Sequence, residues 1–362
     1  VDIPYVLVRD CRRALALLSR NFFGDPAGEM QIIGITGTNG KTTTTYLLKH
    51  LLEDTIGAKV GLIGTNGNMI GSEFIHTERT TPESFELQQL FAEMKSAGCT
   101  HVVMEVSSHS LVLSRVAGID FAVGAFTNLT QDHLDFHHTM EEYAAAKALL
   151  FSVCRVGCIN IDDKWADNMM KNAPCRLLTY SADGKEASLA AENIKLSAKG
   201  VSFTASCDGK RADVSLAIPG KFSVYNSLTA IAICHHFGVS VEEIKKAMLH
   251  VSVKGRIEIV PVTKRYTLMI DYAHNAMALE SLLTTLKEYE PGRLVCLFGC
   301  GGNRAKSRRY EMGEVSSKLA DLTVVTSDNP RNEEPMDIIN DILVGVHKAD
   351  GAYVTIPDRK EA

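Results

Sequence analysis

The segment Ile32–Thr44 has the residue types and the order of a phosphate-binding loop. An apolar run comes first, glycines follow at positions 34, 37 and 40, and Lys41 and Thr42 come next. Glycines let backbone N–H groups surround an anion, and the positive end of the following helix points at the same place. Lys41 offers a charge to terminal phosphates, and the Thr42 hydroxyl is a potential Mg²⁺ ligand.

The loop departs from the strict G-x-x-x-x-G-K-[ST] spacing, because Ile35 stands five residues before Gly40. A glycine-rich turn before a helix, with no ligand, is the alternative interpretation. The combination of Gly-Lys-Thr with a preceding apolar strand favours a nucleotide phosphate site.

Two further polar clusters follow apolar runs in the same half of the chain. Glu105 and Ser107 come after one run, and Asp132 and His133 come after the next. Ligands of open α/β sheets bind at the carboxyl ends of strands, and Mg²⁺ prefers oxygen ligands beside phosphates. The clusters and the loop together predict one Mg²⁺–nucleotide site. A single carboxylate could instead cap a helix, and His133 could equally be a core histidine.

The last third of the chain contains two arginine-bearing turns. Gly299–Arg304 is glycine-rich, and Ser327–Arg331 contains a proline. Arg304 and Arg331 could bind a carboxylate in bidentate fashion. Asp328 and Asn329 could hold an ammonium group, so the turns predict an amino-acid site. The alternative is a proline-marked turn with solvated charges.

Asp271, which ends an earlier strand, has two possible roles. It could cap the helix that starts near Ala276, or it could bind a nucleotide hydroxyl. Lys147 lies in the apolar helical segment Tyr143–Phe151, and periodicity alone makes it an ordinary helix lysine.

The elements that position these residues alternate between strand and helix, which predicts an α/β fold. The first series predicts a central, mainly parallel P-loop-type sheet domain, and the second predicts a smaller Rossmann-like α/β domain. Residues 186–218 alternate like a small antiparallel ribbon, and a boundary is expected near 252–256. The predicted strands are 59–64, 101–106, 121–128, 157–161, 268–271, 294–298, 322–326 and 353–356. The predicted helices are 9–20, 82–97, 140–151, 223–237, 278–289, 310–319 and 336–346.

Composition narrows the functional class. The chain has 362 residues, 45% hydrophobic and 22% charged, with a net charge of −5, so no broad basic surface for nucleic acid is expected. Its 9 cysteines include no C-x-x-C pair, which favours reduced thiols of a cytoplasmic protein over a zinc site or disulfides. No apolar run approaches a membrane span. We expect a monomer that is cut from a longer protein at both ends.

Together these residues resemble the Mur ligase family, the ATP-dependent amino-acid-adding enzymes of bacterial peptidoglycan synthesis. The resemblance covers residues 31–362. It rests on Thr36–Thr43, Met104–His109, Asn128–Asp135, Tyr143–Lys147, Asn226, Gly255–Arg256 and Asp271–His274. Asp328–Arg331 is most similar to the form that adds meso-2,6-diaminopimelate to a UDP-N-acetylmuramoyl dipeptide. The second carboxylate of diaminopimelate gives the arginine a physical role.

The resemblance implies a role for each matching residue. Residues expected to bind ATP are Gly37, Thr38, Asn39, Gly40, Lys41, Thr42, Thr43, Asn226, Arg256, Asp271 and His274. The UDP-muramoyl substrate is assigned to Thr80, Thr81, Ser107 and Arg115, and diaminopimelate to Arg304, Asp328, Asn329, Pro330 and Arg331. Two Mg²⁺ ions would be held by Thr42, Glu105, His133 and Lys147. Lys147 would carry a CO₂-derived carbamate as N6-carboxylysine, which reverses the interpretation from periodicity.

The implied domains are a connector at 1–30 left from a mostly missing UDP-binding domain, an ATP-binding domain at 31–253, and an incomplete amino-acid-binding domain at 254–362. The implied reaction is amide ligation through an acyl phosphate. Two departures concern local geometry. Asn303–Lys306 stands where the family has Asp-Arg-Asp-Lys, and Asn275-Ala276 stands where it has Thr-Pro. The alternatives are ligation of L-lysine, a folylpolyglutamate-synthase-like ligase, and a regulatory nucleotide-binding protein that is not an enzyme.

Overall fold

The computed structural model describes residues 6–197, 200–249, 251, 253, 255–260, 262–263 and 265–362. The chain divides into two compact units. Unit 1 contains residues 1–195, 201–217 and 222–253, and unit 2 contains 196–200, 218–221 and 254–362. The boundary that the sequence predicts at 252–256 falls partly on positions 252 and 254, which lie outside the described residues. Among the described residues, no helix is long and apolar enough to cross a membrane.

Unit 1 is built on an eleven-stranded sheet in the order β11-β10-β9-β8-β7-β6-β1-β5-β2-β3-β4. Its strands are β1 (Gln31–Thr36), β2 (Val60–Ile63), β3 (Asn68–Ile70), β4 (Glu73–Ile75), β5 (His101–Glu105), β6 (Phe121–Phe126), β7 (Cys154–Asn160), β8 (Arg176–Ser181), β9 (Leu189–Ser197), β10 (Gly200–Cys207) and β11 (Lys210–Leu216). β1 lies between β5 and β6 and is parallel to both. Residues 32–36 of β1 are all buried, as expected for a strand that is covered on both faces.

The helices of unit 1 follow the predicted pattern of alternation. They are α1 (Cys11–Phe22), α2 (Lys41–Ile56), α3 (Ser84–Ser96), α4 (Ser108–Val112), α5 (Leu134–His137), α6 (Met140–Ala148), α7 (Ala166–Met170), α8 (Lys221–His236) and α9 (Val241–Met248), with 3-10 turns at Pro26–Glu29 and Leu149–Ser152. Local caps set several of their starts. Thr139 accepts a hydrogen bond from the Glu142 backbone N–H at the start of α6, for example. The helix predicted at 140–151 is α-helical from Met140 to Ala148 and continues as a 3-10 turn from Leu149 to Ser152.

The antiparallel ribbon predicted at 186–218 is partly right. β10 and β11 pair antiparallel, with Val201 opposite Leu216 and Cys207 opposite Lys210. The three strands extend the main sheet, however, because β9 pairs in parallel with the end of β8 through Tyr180 and Leu189.

Unit 2 contains a parallel three-stranded sheet in the order β14-β15-β16 and a separate two-stranded sheet. Its elements are β12 (Glu258–Val260), β13 (Leu268–Ile270), α10 (Ala276–Lys287), β14 (Val295–Phe298), α11 (Lys306–Leu319), β15 (Leu322–Val325), α12 (Pro335–Val346) and β16 (Tyr353–Thr355). The sequence places 268–271 at the start of the parallel series, whereas β13 pairs antiparallel with β12. Leu268 and Ile270 remain 41% and 48% exposed, so β13 lacks the two-sided burial of a parallel strand.

Helices α11 and α12 cross at close range through two glycines. A Cβ atom at Gly345 would lie 1.8 Å from the Tyr310 carbonyl oxygen, and one at Gly313 would lie 2.2 Å from the Ile342 carbonyl oxygen. Both distances are far inside van der Waals contact, so the two backbones approach as only glycine allows.

Candidate active site

The glycine-rich loop joins β1 to α2 and has a backbone that requires its glycines. Gly37 has φ +149° and Gly40 has φ +84°, which side chains disfavour. A Cβ atom at Gly37 would lie 2.0 Å from the Thr127 Oγ1, and one at Gly40 would lie 2.4 Å from the Asn226 Oδ1. Gly40 is the N-cap of α2, so the loop lies at the positive end of this helix. This is the arrangement of an anion site.

Asn128, the second residue after β6, holds the loop in place. Asn128 accepts a 2.9 Å hydrogen bond from the Thr38 N–H through its backbone oxygen, and another of 2.9 Å from the Asn39 N–H through Oδ1. Its Nδ2 donates to the Asn39 carbonyl at 3.1 Å. Asn128 belongs to the polar cluster that the sequence predicts at the end of this parallel strand, although it is not among the residues assigned to a ligand.

Lys41 and Thr43 begin α2 directly after the loop. The Lys41 Nζ donates to the carbonyl oxygens of Gly37 and Thr38 at 2.8 and 2.9 Å, so the ammonium group lies over the bend. Thr43 is buried in the first turn of the helix. The one positive side chain of this loop is thus placed where a terminal phosphate would be neutralised.

Glu105, the last residue of β5, is a buried carboxylate that is only 1% exposed. Its Oε1 accepts hydrogen bonds from the Thr42 hydroxyl at 2.8 Å and the Thr65 N–H at 2.9 Å. Its Oε2 accepts from the Thr65 hydroxyl at 3.1 Å. No residue that the structure describes forms an ion pair with Glu105. A buried carboxylate normally has a cationic partner, so this group fits a divalent cation held with Thr42.

The four residues assigned to the muramoyl substrate surround the end of β5. The Thr65 and Thr80 hydroxyls are 2.9 Å apart, and Thr81 Oγ1 donates to the Glu105 carbonyl at 2.8 Å. Ser107 N–H donates to Thr81 Oγ1 at 3.2 Å. The Arg115 guanidinium donates to the Thr81 carbonyl at 3.2 Å. Thr65, which the sequence does not single out, links the Mg²⁺-type and substrate-type residues.

Arg115 is the cation of this group. It lies 2.9 Å from the Glu83 carboxylate, and its Nε is buried with no hydrogen-bond partner among the described residues. Burial lowers the pKa of Arg115, and Glu83 opposes that change. A buried guanidinium N–H without a partner has the capacity to donate to an anionic ligand.

His133 follows β6 and lies among aromatic rings. It has φ +54°, and its ring is 5.0 Å from that of His109 and 6.1 Å from that of Tyr143. Partial desolvation beside the neighbouring rings lowers the pKa of His133 to about 4, with a smaller contribution from His109 and against the effect of Asp132, while 44% of the side chain stays exposed. The ring is therefore neutral at pH 7, the state in which a histidine binds a metal.

Lys147, on α6, lies beside the loop and is 1% exposed. Its Nζ donates to the Gly37 carbonyl at 2.9 Å and lies 4.6 Å from the centre of the Tyr143 ring. Burial, and to a smaller extent Lys41, hold the pKa of this amine well below its ordinary value. The ordinary helix lysine that periodicity indicates would extend its amine to water, and this one does not.

In unit 2, the ring of Tyr272 is in contact with both Arg256 and His274, and Asp271 precedes it in the chain. The Arg256 guanidinium is 4.3 Å from the Tyr272 ring centre, and the His274 ring is 5.4 Å from it. Asp271 accepts hydrogen bonds from the backbone N–H groups of Ile257 and Ala273 at 2.9 and 2.8 Å.

Asp271 does not cap the following helix, as one interpretation of the sequence had it. Asn275 is the N-cap of α10, and its Oδ1 accepts from the Ala278 N–H at 2.9 Å. Asparagine and threonine are both N-cap residues. The change from the family's Thr-Pro to Asn275-Ala276 therefore preserves the helix start.

The two arginine-bearing turns of unit 2 lie against each other. The Gly302 N–H donates to the Asn329 carbonyl at 2.9 Å, and a Cβ atom at Gly302 would lie 1.9 Å from the Pro330 oxygen. Arg331 donates to the Gly302 carbonyl at 2.9 Å. Arg304, Asp328, Asn329 and Arg331 are all exposed. The residues assigned to diaminopimelate thus share one surface of unit 2.

A buried arginine, Arg309, supports these turns, although the sequence gives it no role. Arg309 donates to both carboxylate oxygens of Glu333 at 2.8 Å and to Asp341 at 2.9 Å. Glu333 also accepts a hydrogen bond from the Asn303 N–H. The Arg309 guanidinium holds the pKa of Glu333 at about 2. Its partners are far away in sequence, so spacing gives no signal for them.

Comparison with known proteins matches this architecture along the chain. The profile of the Mur ligase middle domain matches residues 35–234, and that of the Mur ligase glutamate ligase domain matches 255–362. The UDP-N-acetylmuramoyl-L-alanyl-D-glutamate--2,6-diaminopimelate ligase of Caldanaerobacter subterraneus subsp. tengcongensis is 48% identical over 99% of this chain and 74% of the relative. A ligase of the same name from Clostridium acetobutylicum is 49% identical over the same shares of the two chains.

Solved structures give the same result. A structure of UDP-N-acetylmuramoyl-L-alanyl-D-glutamate--2,6-diaminopimelate ligase superposes with a TM-score of 0.73 at 30% identity, covering 98% of this chain and 74% of that one. Folylpolyglutamate synthase of Mycobacterium tuberculosis superposes with a TM-score of 0.79 at 17% identity, covering 96% and 86%, which shows a shared fold alone. The two profiles and the two relatives together cover nearly all of the chain, and they show that the chain belongs to the Mur ligase family.

Proposed function

We propose that the chain is an ATP-dependent, ADP-forming amide ligase of peptidoglycan synthesis. It adds meso-2,6-diaminopimelate to UDP-N-acetylmuramoyl-L-alanyl-D-glutamate. The observation that carries this proposal is the contact of the Thr42 hydroxyl with the buried Glu105 carboxylate, beside the amine of Lys147 and the glycine loop. Close relatives bear the name of that reaction. The proposed reaction uses ATP and a UDP-linked substrate, which supports a location in the cytoplasm.

The reaction has two chemical steps. The substrate's D-glutamyl carboxylate attacks the γ-phosphorus of ATP, ADP leaves, and an acyl phosphate forms. The diaminopimelate amine then attacks the acyl carbon, and phosphate leaves as the amide bond is made. Phosphoryl transfer depends mainly on alignment and charge neutralisation, so the loop N–H groups and Lys41 stabilise the transferring group. Thr38, Asn39 and Thr43 complete the phosphate cradle.

The metal residues are assigned by the chemistry of their donors. Thr42 and Glu105 would hold one Mg²⁺, and His133 with a carbamylated Lys147 would hold the second. Two Mg²⁺ ions supply charge neutralisation to the transferring phosphoryl group. Lys147 supports this assignment, because burial and Lys41 lower the pKa of its amine, and a lower pKa favours the uncharged form that reacts with CO₂. The resulting carbamate would exchange a cation for an oxygen ligand.

The remaining assignments follow the two units. Thr80, Thr81, Ser107 and Arg115 bind the UDP-muramoyl dipeptide, with Arg115 Nε available to donate. Arg304 and Arg331 bind the carboxylates of diaminopimelate, and Asp328, Asn329 and Pro330 shape the ammonium pocket. Asn226, Arg256, Asp271 and His274 bind the nucleotide.

The experiment is amino-acid-dependent phosphate release from ATP with the muramoyl dipeptide and Mg²⁺. We expect release with diaminopimelate and not with L-lysine. Arg331→Ala should raise the KM for diaminopimelate about 100-fold with a smaller effect on the KM for ATP, because one bidentate carboxylate contact is lost. Arg293→Ala, which removes another exposed arginine of unit 2 outside both turns, is the matched control and should leave both constants unchanged.

Other outcomes identify the alternatives. Release with lysine alone would make the protein a lysine-adding ligase. Release with glutamate and a folate would make it a folylpolyglutamate-synthase-like ligase. Binding of ATP with no response to any amino acid would leave the regulatory nucleotide-binding protein.

A further inference from the structure

A second cluster of metal-ligating side chains lies in unit 1 where the β10–β11 hairpin meets the end of α8. Cys207 ends β10, Asp208 is in the turn, and His235 is in the last turn of the helix. One ligand atom from each residue lies within 4.8 Å of the other two. None of the three belongs to the ATP, muramoyl or diaminopimelate sites.

The hairpin turn fixes two of these residues. Asp208 and Gly209 have φ +50° and +73°, the signs that a type I′ turn requires at both central positions. Cys207 pairs with Lys210 across the turn and is 7% exposed, so its thiol points to the buried face. The Asp208 side chain is 78% exposed and reaches His235 from the solvent side.

The ring of His235 is oriented as in a metal-binding histidine. Its Nδ1 lies 3.2 Å from the Val239 carbonyl oxygen, which can only accept a hydrogen bond, so this contact favours the tautomer with the proton on Nδ1. Metal-ligating histidines usually donate their second ring nitrogen to such an oxygen, which fixes the tautomer. The Nε2 atom is then the free ligand, and it faces the Asp208 Oδ2 at 3.2 Å.

In this tautomer two acceptor atoms face each other at 3.2 Å. A metal ion bound between them would satisfy both atoms. Zinc–nitrogen and zinc–oxygen bonds of roughly 2.0–2.2 Å in a tetrahedron separate those ligands by about 3.3 Å, close to the observed spacing. The Cys207 sulfur lies within 4.8 Å of a ligand atom of both His235 and Asp208 and provides a third ligand atom, which favours a metal ion.

We propose that Cys207, Asp208 and His235 form a binding site for Zn²⁺ or a similar divalent ion, with water completing the coordination. A thiolate, an imidazole and a carboxylate select Zn²⁺ over Mg²⁺, which takes oxygen ligands. The ion joins the hairpin turn to the end of α8. This site departs from the preference for plain reduced thiols that the cysteine spacing gives.

The test uses Co²⁺ as a spectroscopic substitute for Zn²⁺, with excess Mg²⁺ present to fill the oxygen sites. We expect one bound Co²⁺ with tetrahedral visible bands and a sulfur-to-cobalt charge-transfer band. Cys207→Ser should remove the sulfur band, and His235→Gln and Asp208→Asn should each weaken binding. Loss of one ligand should cost at least about 100-fold in affinity, since loss of an outer-shell partner already costs 10–100-fold.

Matched controls separate this site from other thiols and imidazoles. Cys11→Ser removes an exposed cysteine, and His236→Gln changes the neighbouring histidine of α8, so both should leave the spectrum unchanged. Zn²⁺ should raise the unfolding temperature of the wild type and of both controls, but not of Cys207→Ser. A wild-type spectrum without the sulfur band, or one that survives in Cys207→Ser, would overturn the proposal and leave the His235–Asp208 ion pair.

Discussion

The Thr42 hydroxyl and the Glu105 carboxylate are joined by a 2.8 Å hydrogen bond, although 63 residues separate them in sequence. β1 and β5 are adjacent parallel strands, so the residue that ends β5 meets the first turn of α2. The pairing of β1 with β5 therefore brings the loop and the carboxylate together in one site. This relationship makes the metal-dependent half of the proposed reaction testable at a single hydroxyl group.

Removing that hydroxyl should impair turnover more than folding. Thr42→Ala should lower kcat by about 100–1,000-fold, the usual effect of losing one group that stabilises the transition state. Thr42→Ser keeps the oxygen and should retain most activity. Steady-state kinetics at several Mg²⁺ concentrations check this. Equal activity of the alanine and serine variants would contradict the role of the hydroxyl.

The carbamate on Lys147 can be observed directly. With ¹³C-labelled bicarbonate, ¹³C NMR should show a carbamate signal in the wild type and none in Lys147→Ala, which should also be inactive. Lys49→Met is the matched control, because Lys49 is also buried but is paired with the Glu53 carboxylate. Its carbamate signal should equal that of the wild type. Full wild-type activity after removal of CO₂ would argue against the modification.

Gly40→Ala should destabilise the protein through contact as well as backbone strain. A left-handed backbone costs a non-glycine residue about 1–2 kcal/mol, and the close Asn226 oxygen adds roughly 1–3 kcal/mol of overpacking. Gly57→Ala is the matched control, since Gly57 also has a positive φ, +64°, but nothing within 4 Å of an added Cβ. Denaturant unfolding should show a clearly larger loss for Gly40→Ala, which should also bind ATP more weakly.

His137 should make stability fall on mild acidification. Burial lowers its pKa to about 4, helped by His109, and its Nε2 is 2.8 Å from the Ser108 hydroxyl. An unfolded histidine has a pKa near 6.5, so between these values the unfolded state binds more protons. The free energy of unfolding should therefore drop by up to about 3 kcal/mol between pH 6.5 and 4.

The His137 prediction is checked by unfolding at a series of pH values. His137→Gln should flatten the profile in that window. His138→Asn, a change at the neighbouring exposed histidine, should leave the profile unchanged. An identical slope in wild type and His137→Gln would show that other groups cause the acid sensitivity.

Arg309 should matter far more to unit 2 than the charges beside it. Arg309→Met leaves Glu333 and the partly buried Asp341 without their shared cation, a loss of about 3–5 kcal/mol. Lys306→Met breaks only an exposed 3.4 Å pair with Asp341 and should cost less than about 1 kcal/mol. Hydrogen exchange of the α11 and α12 amides should accelerate roughly 100-fold or more in the first variant and little in the second.

Sequence reasoning succeeds here where chemistry follows local order. The loop before Lys41, the polar residues after β5 and β6 and the seven predicted helices are local signals, and the structure contains them. The shorter helices α4, α5, α7 and α9 were not predicted. Family membership and the α/β fold are confirmed by the comparisons. The roles of individual site residues, the carbamate on Lys147 among them, stay predictions.

The failures concern contacts between distant segments. Lys147 is an ordinary lysine by periodicity, and only the packing of α6 under Gly37 reveals its burial. Arg309 finds partners 24 and 32 residues away. The sequence also allowed Asp271 to cap α10, and this interpretation was wrong. The Asp271 carboxylate instead accepts a hydrogen bond from the Ile257 N–H, a contact that the sequence does not show. The strand at 268–271 was expected in the parallel series, but β13 pairs with β12, and the sequence does not show that pairing either.

The crossing of α11 and α12 at Gly313 and Gly345 links the two turns that are proposed to bind diaminopimelate. The turn that carries Arg304 leads into α11, and the turn that carries Arg331 precedes α12. At either glycine there is no room for a methyl group between the two backbones. A substitution at Gly313 or Gly345 would therefore have to displace one helix against the other, and it would change the spacing of the two arginines without any contact with the ligand.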